Sequence, residues 1–371
     1  MIGQTIGKYK IEKLIGAGGM GEVYLAIDTM LNRTVALKFL PRDIENRDRV
    51  VKRFLREAQA TARLSHPNIA TLYNVEQHEG RYFILMEYID GEPLSRLLRR
   101  EKLSIKNVLK YSIQIAHALG EAHEHGVLHR DVKPGNILIN RKQQVKVLDF
   151  GLAKFIESEI AVPNNVVDDD ITRDGVLVGT PRYMAPEQIL GKQVDQRTDI
   201  FAFGILLYEM ITNQHPFKVG NNQQLVLAIT SQEPVALRSY IADIPEELVT
   251  IVMKALNKNP LDRYLSAKEM ATALRNLAMK LFAENYFEYP GAEDFRSEMS
   301  NQRPSMPPTS LESVPRKTIK GLEDTTALEQ AAKPAIQNLQ YNIGQNIMLK
   351  VAMIALILIL CIVGGVWYFK H

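Results

Sequence analysis

A single cysteine, Cys361, is all the chain carries. No intrachain disulfide can form, and a reducing compartment fits. Tryptophan is as scarce, with Trp367 alone. Neither sign of charge is in excess: 45 Lys and Arg against 42 Asp and Glu leave a formal net charge of +3, with a pI near 8.7. That balance is too mild to argue for a nucleic-acid partner. The opening residues, MIGQTIGKYK, lack the apolar core of a signal peptide, so the N-terminal part is not expected to be exported. No internal repeat is evident. What is present is the composition of a globular chain, 46% hydrophobic and 23% charged, and 371 residues exceed one average domain.

One long apolar run stands out near the C-terminus. Val351 to Phe369 holds nineteen residues without a charge, between Lys350 and Lys370. As a helix it would be about 28 Å long at 1.5 Å per residue, close to the ~30 Å hydrocarbon core of a bilayer. Trp367 and Tyr368 sit at one edge, where aromatic rings favour the interface. The spacing predicts a transmembrane helix over 347–369, acting as a tail anchor with no outer domain. A buried core helix is the alternative. Residues 283–346 lose periodicity and collect Pro, Ser, Asn and Gln, as in RPSMPPTS at 303–310, which reads as a disordered, flexible juxtamembrane linker.

The chemistry concentrates in HRDVKPGN at 129–136, with VLDFG at 147–151 behind it. Asp131, Lys133, Asn136 and Asp149 fall within about twenty residues: two acids, a cation and an amide carbonyl. Mg²⁺ is a hard cation that takes carboxylate and carbonyl oxygens together with nucleotide phosphates. Asn136 and Asp149 could supply such oxygens. Asp131 would then face an attacking hydroxyl, and Lys133 the transferring phosphate.

Upstream, residues 9–15 and 23–28 read as strands around GAGGMG at 16–21. Gly16, Gly18, Gly21 and Val23 fit G-x-G-x-x-G-x-V, where backbone N–H groups can approach phosphate without Cβ interference. A tight hairpin would use the same glycines. A dinucleotide-binding fold would need a helix next, and the residues after the glycines continue as strand. VALKFL at 35–40 reads as a third strand, with Lys38 its only cation. In a helix over about 49–64, Phe54, Glu57, Thr61 and Leu64 share one face. Burying Glu57 there unpaired would be costly, and Lys38 is the expected partner. The alternatives are a surface lysine and a solvated glutamate.

The glycine loop, Lys38, Glu57, the 129–136 run, DFG at 149–151, APE at 185–187, Asp199 and Arg263 follow one another in an order that resembles bacterial Hanks-type serine/threonine protein kinases. The resemblance covers about residues 9–280. It implies an α+β, two-lobed protein kinase fold over 9–282, with a five-stranded N-lobe sheet plus helix (9–86) and a mainly helical C-lobe (92–282). By resemblance, Ile15, Gly16, Gly18, Gly21, Val23 and Ala36 contact ATP. Lys38, oriented by Glu57, meets the α- and β-phosphates, and Met86 guards the back of the adenine pocket. Backbone groups of Glu87 and Ile89 bond the base, with the register open by one residue. Asn136 and Asp149 hold Mg, while Asp131 and Lys133 are catalytic.

The resemblance also makes His129 a packing residue, general base being its alternative role. Asp199 becomes the holder of the catalytic-loop backbone, and Arg263 the partner of Glu187. Arg130 would receive a phosphate from an autophosphorylated activation segment. Thr172 is the candidate site there, an ordinary loop threonine being its alternative, and Thr180 bonds Asp131 and Lys133. The implied activity is transfer of the ATP γ-phosphoryl group to Ser or Thr of protein substrates, at a cell membrane with the kinase domain on the cytoplasmic side. Self-association into a homodimer is one route for an activating signal. A pseudokinase scaffold that binds nucleotide without turnover, and a small-molecule phosphotransferase, are the alternatives.

Overall fold

The computed structural model describes residues 1–18, 21–41, 48–150 and 181–282. Strands β2 (Tyr9–Gly18) and β3 (Gly21–Asp28) form the hairpin expected around the glycines, and β4 (Arg33–Phe39) follows. The sheet has six strands, not five, because a short β1 (Thr5–Ile6) precedes them. The chain doubles back at Gly7, in the left-handed region at φ +57°, so that Thr5 and Ile6 pair with Lys10 and Tyr9. Two residues are too few to show a strand periodicity in sequence.

Helix α1 (Asp48–Thr61) leads to β5 (Leu72–His78) and β6 (Arg81–Glu87). The strand order is β1-β2-β3-β4-β6-β5, antiparallel throughout. Register sets Lys38 opposite Val23 and Ile84, and Ala36 opposite Leu25 and Met86. One face of the sheet buries Tyr9, Phe39 and Phe83 against one another, with ring centroids 5.1 and 6.2 Å apart. The other packs Leu40, Leu72 and Ile84 on Phe54 and Ala58 of α1.

The second lobe begins with β7 (Gly91–Pro93) and α2 (Leu94–Arg100). Helix α3 (Ile105–Glu124) is capped by the Ser104 hydroxyl, which accepts from the Asn107 N–H, and the chain turns at Gly126 with φ +72°. Strands β8 (Ile137–Asn140) and β9 (Val145–Val147) form a three-stranded antiparallel sheet with β7. Helices α4 (Pro186–Ile189), α5 (Gln196–Thr212), α6 (Asn222–Ser231), α7 (Glu246–Ala255) and α8 (Ala267–Phe282) complete the lobe. Helix α5 is mostly apolar and buried along nearly its whole length, with Asp199 and Glu209 among its buried side chains. Gly204 lets α7 approach, since a Cβ there would sit 3.0 Å from that of Ala255.

The lobes are joined behind the site as well as at the connector after β6. Ile69 bridges Val147 in parallel, with Val147 N–H donating to the Asn68 carbonyl at 2.8 Å and Ala70 N–H to the Val147 carbonyl at 3.0 Å. Among the described residues no helix is long and apolar enough to cross a membrane. The expected linker (283–346) and span (347–369) lie outside the described residues.

Candidate active site

The segment between α3 and β8 carries Asp131, Lys133 and Asn136, and a buried carboxylate shapes it from below. Asp199, fully buried in the first turn of α5, accepts the His129 N–H at 2.8 Å on Oδ2 and the Arg130 N–H at 2.7 Å on Oδ1. These bonds hold Arg130 at φ +63°, a strained conformation for a side chain that size. His123, near the end of α3, contributes a third contact, its Nε2 lying 2.8 Å from Asp199 Oδ2. Burial opposes ionisation of Asp199, but His123 and the backbone donor of His129 outweigh it and hold the carboxyl below its usual range. The expected role of Asp199 is thus seen in the geometry, while His123 was missed. It stands one helical turn after Leu119 on the apolar stripe of α3, the only signal that it would be buried.

Four polar groups converge above this support. Lys133 Nζ lies 2.7 Å from Asp131 Oδ2. The Asn136 amide donates to both the carbonyl (2.9 Å) and Oδ2 (2.8 Å) of Asp131. That orientation leaves Asn136 Oδ1 without a protein partner among the described residues. Asp149 stands at φ +57°, also in the left-handed region, with Oδ2 2.8 Å from Lys38 Nζ.

The Lys38 contact corrects an expectation. Lys38 pairs with Asp149, and no ion pair joins it to Glu57. The reason is competition for one ammonium. Lys38 is 7% exposed and needs a counter-charge. The loop carrying Asp149 is drawn against α1, where the Thr61 hydroxyl donates to the Phe150 carbonyl at 3.3 Å, and this brings the rival carboxylate within reach. Glu57 shares its helix face with buried Phe54 and Thr61, as expected, but is itself only partly buried. His129 packs its ring 4.6 Å from that of buried Phe150, which is the packing role and not that of a base.

The glycine hairpin lies over the same side of β4. Gly18 pairs with Gly21 and Gly16 with Val23. Gly21 has φ +103°, and a Cβ there would fall 1.9 Å from the Phe39 carbonyl oxygen, so no other residue fits. Ile15 is 41% exposed beside this hairpin. Ala36 is buried opposite Met86, which lines a cavity of about 10 Å³ with Thr61, Ala70, Leu72, Ile84, Asp149 and Phe150. Of the expected base-binding groups, the Glu87 N–H is already donated to the Thr71 carbonyl at 2.9 Å, which leaves its carbonyl for the base. Ile89 makes no backbone hydrogen bond among the described residues. The Glu87 side chain is clamped by Lys146 of β9 at 2.8 Å, a contact between the lobes that the sequence did not signal.

Glu187 and Arg263 form the expected pair, a buried fork with contacts of 2.8 and 2.9 Å, joined by the Thr198 hydroxyl at 2.8 Å. Burial works against the Glu187 charge, yet Arg263 keeps its carboxyl below the usual range. Thr172 and Thr180 lie outside the described residues. Arg130, expected to receive the phosphate of Thr172, has a buried Nε with no hydrogen-bond partner among the described residues. No group of three or more His, Cys, Asp or Glu side chains among the described residues could hold a metal by itself.

Known proteins share this arrangement. The chain is 40% identical over 283 residues to the serine/threonine-protein kinase pkn3 of Myxococcus xanthus, covering 74% of this chain and 51% of that protein. It is 35% identical over 277 residues to PrkC of Bacillus subtilis, covering 74% of this chain and 41% of that protein. The matches therefore span about half or less of these relatives' own length. Among solved structures, the kinase domain of Mycobacterium tuberculosis PknI matches with a TM-score of 0.59 at 28% identity, covering 74% of this chain and 98% of that one. The family model described as a protein kinase domain matches residues 9–274, and with the two-lobed fold and the polar cluster between its lobes, it shows that this chain belongs to the protein kinase domain family.

Proposed function

We propose that the protein is an ATP-dependent serine/threonine protein kinase. The observation that carries this reading is the convergence of Asp131, Lys133, Asn136 and Asp149 with Lys38 on one side of the cleft. Asp131 orients the acceptor hydroxyl and takes its proton. The hydroxyl oxygen forms a bond to the γ-phosphorus of ATP as the bond to the β,γ-bridging oxygen breaks, and ADP leaves. Lys133 and Lys38 offset the phosphate charge, and the Gly16–Gly21 hairpin covers it. The Glu87 carbonyl and Ile89 backbone serve the adenine, in front of Met86.

The oxygens of Asn136 and Asp149 suit a hard divalent cation, and magnesium is the cation we assign to them. Bound there with the nucleotide, it would neutralise charge on the β- and γ-phosphates. Their fit rests on the Asn136 rotamer, which aims its amide N–H at Asp131 and frees its oxygen. Thr172 is the autophosphorylation site that docks on Arg130, and residues 347–369 hold the protein in the cell membrane with the kinase domain facing the cytoplasm.

Incubation of the full-length chain with magnesium and ATP, followed by phosphosite mapping, tests the reading. Phosphate on Ser or Thr, including Thr172, is expected, and Asp149→Asn should abolish it even in preparations shown to remain folded, some stability being lost with the Lys38 counter-charge. Nucleotide binding without any transfer would overturn it in favour of a scaffold. Truncation after about residue 345 should release the protein from membranes; a truncated form that still sediments with them would place the anchor elsewhere.

A further inference from the structure

We infer that Arg182 is a specificity-determining residue, drawing acidic side chains that flank the acceptor in the protein substrate. The inference rests on the kinase reading above and deepens it. Arg182 lies in the short 3-10 turn Pro181–Tyr183, at the start of the segment that runs through Glu187. That segment adjoins the catalytic loop, for Gln188 caps the Ala185 N–H at 2.9 Å and reaches the Arg130 carbonyl at 3.5 Å. Gln188 thus ties the segment that begins with this turn to the loop bearing Asp131, where a peptide would present its hydroxyl.

The turn is fixed from within by a polar knot. His215, buried and bonded to Phe217, holds the Arg182 carbonyl at 2.8 Å through Nε2. Glu209 of α5, also buried, accepts Arg182 Nη2 on Oε1 at 3.1 Å and the Tyr183 hydroxyl on Oε2 at 2.5 Å. The arginine is thus pre-oriented, with little rotamer freedom left to lose on binding.

Charge on this face is asymmetric in depth. Two carboxylates, Asp131 in the catalytic loop and Glu209 beneath the turn, are each matched by a cation lying nearer the solvent. Lys133 is 31% exposed against 20% for Asp131, and Arg182 is 48% exposed against 9% for Glu209. Both pairs are neutral in sum, but both turn their positive end outward. An arriving peptide meets the guanidinium first, which bonds Glu209 through Nη2, and the remaining fork suits a carboxylate. Glu209 is buried and already bonded to Arg182 and Tyr183, so the guanidinium screens it from a basic substrate residue.

The test is a peptide panel presented with Mg-ATP to the full-length chain, the peptides being identical except for acidic, neutral or basic residues flanking the acceptor. Acidic peptides should be favoured over neutral ones in kcat/KM by about fivefold or more, the scale of one charge-assisted hydrogen bond, with the gap shrinking as salt rises. Arg182→Gln should erase that preference and, by uncovering Glu209, raise basic peptides above neutral ones. Arg182→Lys should keep part of it. A wild-type chain that phosphorylates peptides without favouring acidic ones overturns the inference alone, whatever the variants do. So does an acidic preference that survives in a folded Arg182→Gln. A wild-type chain that phosphorylates nothing overturns it together with the kinase reading.

Discussion

Replacing Asp199 by Asn keeps the side chain's shape and removes its charge, and the structure says what must follow. Three donors converge on the carboxylate: the N–H groups of His129 and Arg130 and Nε2 of His123, at 2.8, 2.7 and 2.8 Å. A carboxylate accepts all three. A carboxamide has a single accepting oxygen, and its own NH₂ must face at least one donor. Since Asp199 and His129 are both fully buried, no water can replace the lost partner. Leaving one buried backbone N–H unsatisfied costs about 1–3 kcal/mol. Withdrawing the charge from the remaining contacts brings the total to about 3–5 kcal/mol, the scale for breaking a buried charged network. At about 2–4 °C per kcal/mol for a domain of this size, the melting temperature should fall by roughly 6–20 °C.

Activity should fall further than stability alone explains. The bond to Asp199 holds Arg130 at φ +63°, and that conformation carries about 1–3 kcal/mol of strain. When the bond is lost the loop relaxes, and Asp131 beside it moves. Each 1.36 kcal/mol of misplacement is about tenfold in rate. Thermal melts and initial rates with Mg-ATP, measured on the same full-length preparations, give both numbers. A variant that melts within about 0.5 kcal/mol of wild type, the range of a neutral surface change, and turns over normally would refute the reasoning.

Further substitutions probe the rest of the frame. Arg263→Met strands Glu187 as an unpaired buried charge and should cost about 3–5 kcal/mol in urea melts, whereas the Arg263→Met, Glu187→Leu pair should recover much of that loss; a double variant no better than the single one would contradict it. Gly21→Ala forces a Cβ onto the Phe39 carbonyl at a positive φ, so the hairpin must shift, and KM for ATP should rise by about tenfold; an unchanged KM would detach the hairpin from the phosphates. His117 is held neutral by burial, its pKa pushed down to about 4 from 6.5, so the unfolded chain takes up the proton first. The stability this contributes is complete above pH 6.5 and should fall by about 3 kcal/mol as pH drops toward 4, a slope that His117→Leu should flatten. Melts with the same acid slope in both proteins would exclude His117 as its source.

Local chemistry was legible wherever a short motif fixes geometry by itself. The glycine hairpin, the strand bearing Lys38 and the catalytic run could be placed from residue order alone, because strand alternation and loop sterics act over a few neighbours. Asp199, Glu187 and Arg263 could be paired with their roles only through resemblance, since their partners lie far away in the chain. His123, Gln114 and Lys146 gave almost no signal. Gln114 sits in the middle of α3 beside apolar residues, and only the folded chain shows it bonding Asn68 and the Val145 N–H at 2.9 and 2.8 Å.

The case that separates the two levels is Lys38. Its place on β4, alone among apolar neighbours, and the position of Glu57 on the inner face of α1 follow from sequence periodicity. Which carboxylate neutralises the lysine does not. That depends on how near the loop bearing Asp149 is drawn to α1, through Thr61 and Phe150, residues 89 apart in the chain. Periodicity decides which side of an element a side chain occupies; only the packing of elements against one another decides which charge it meets there.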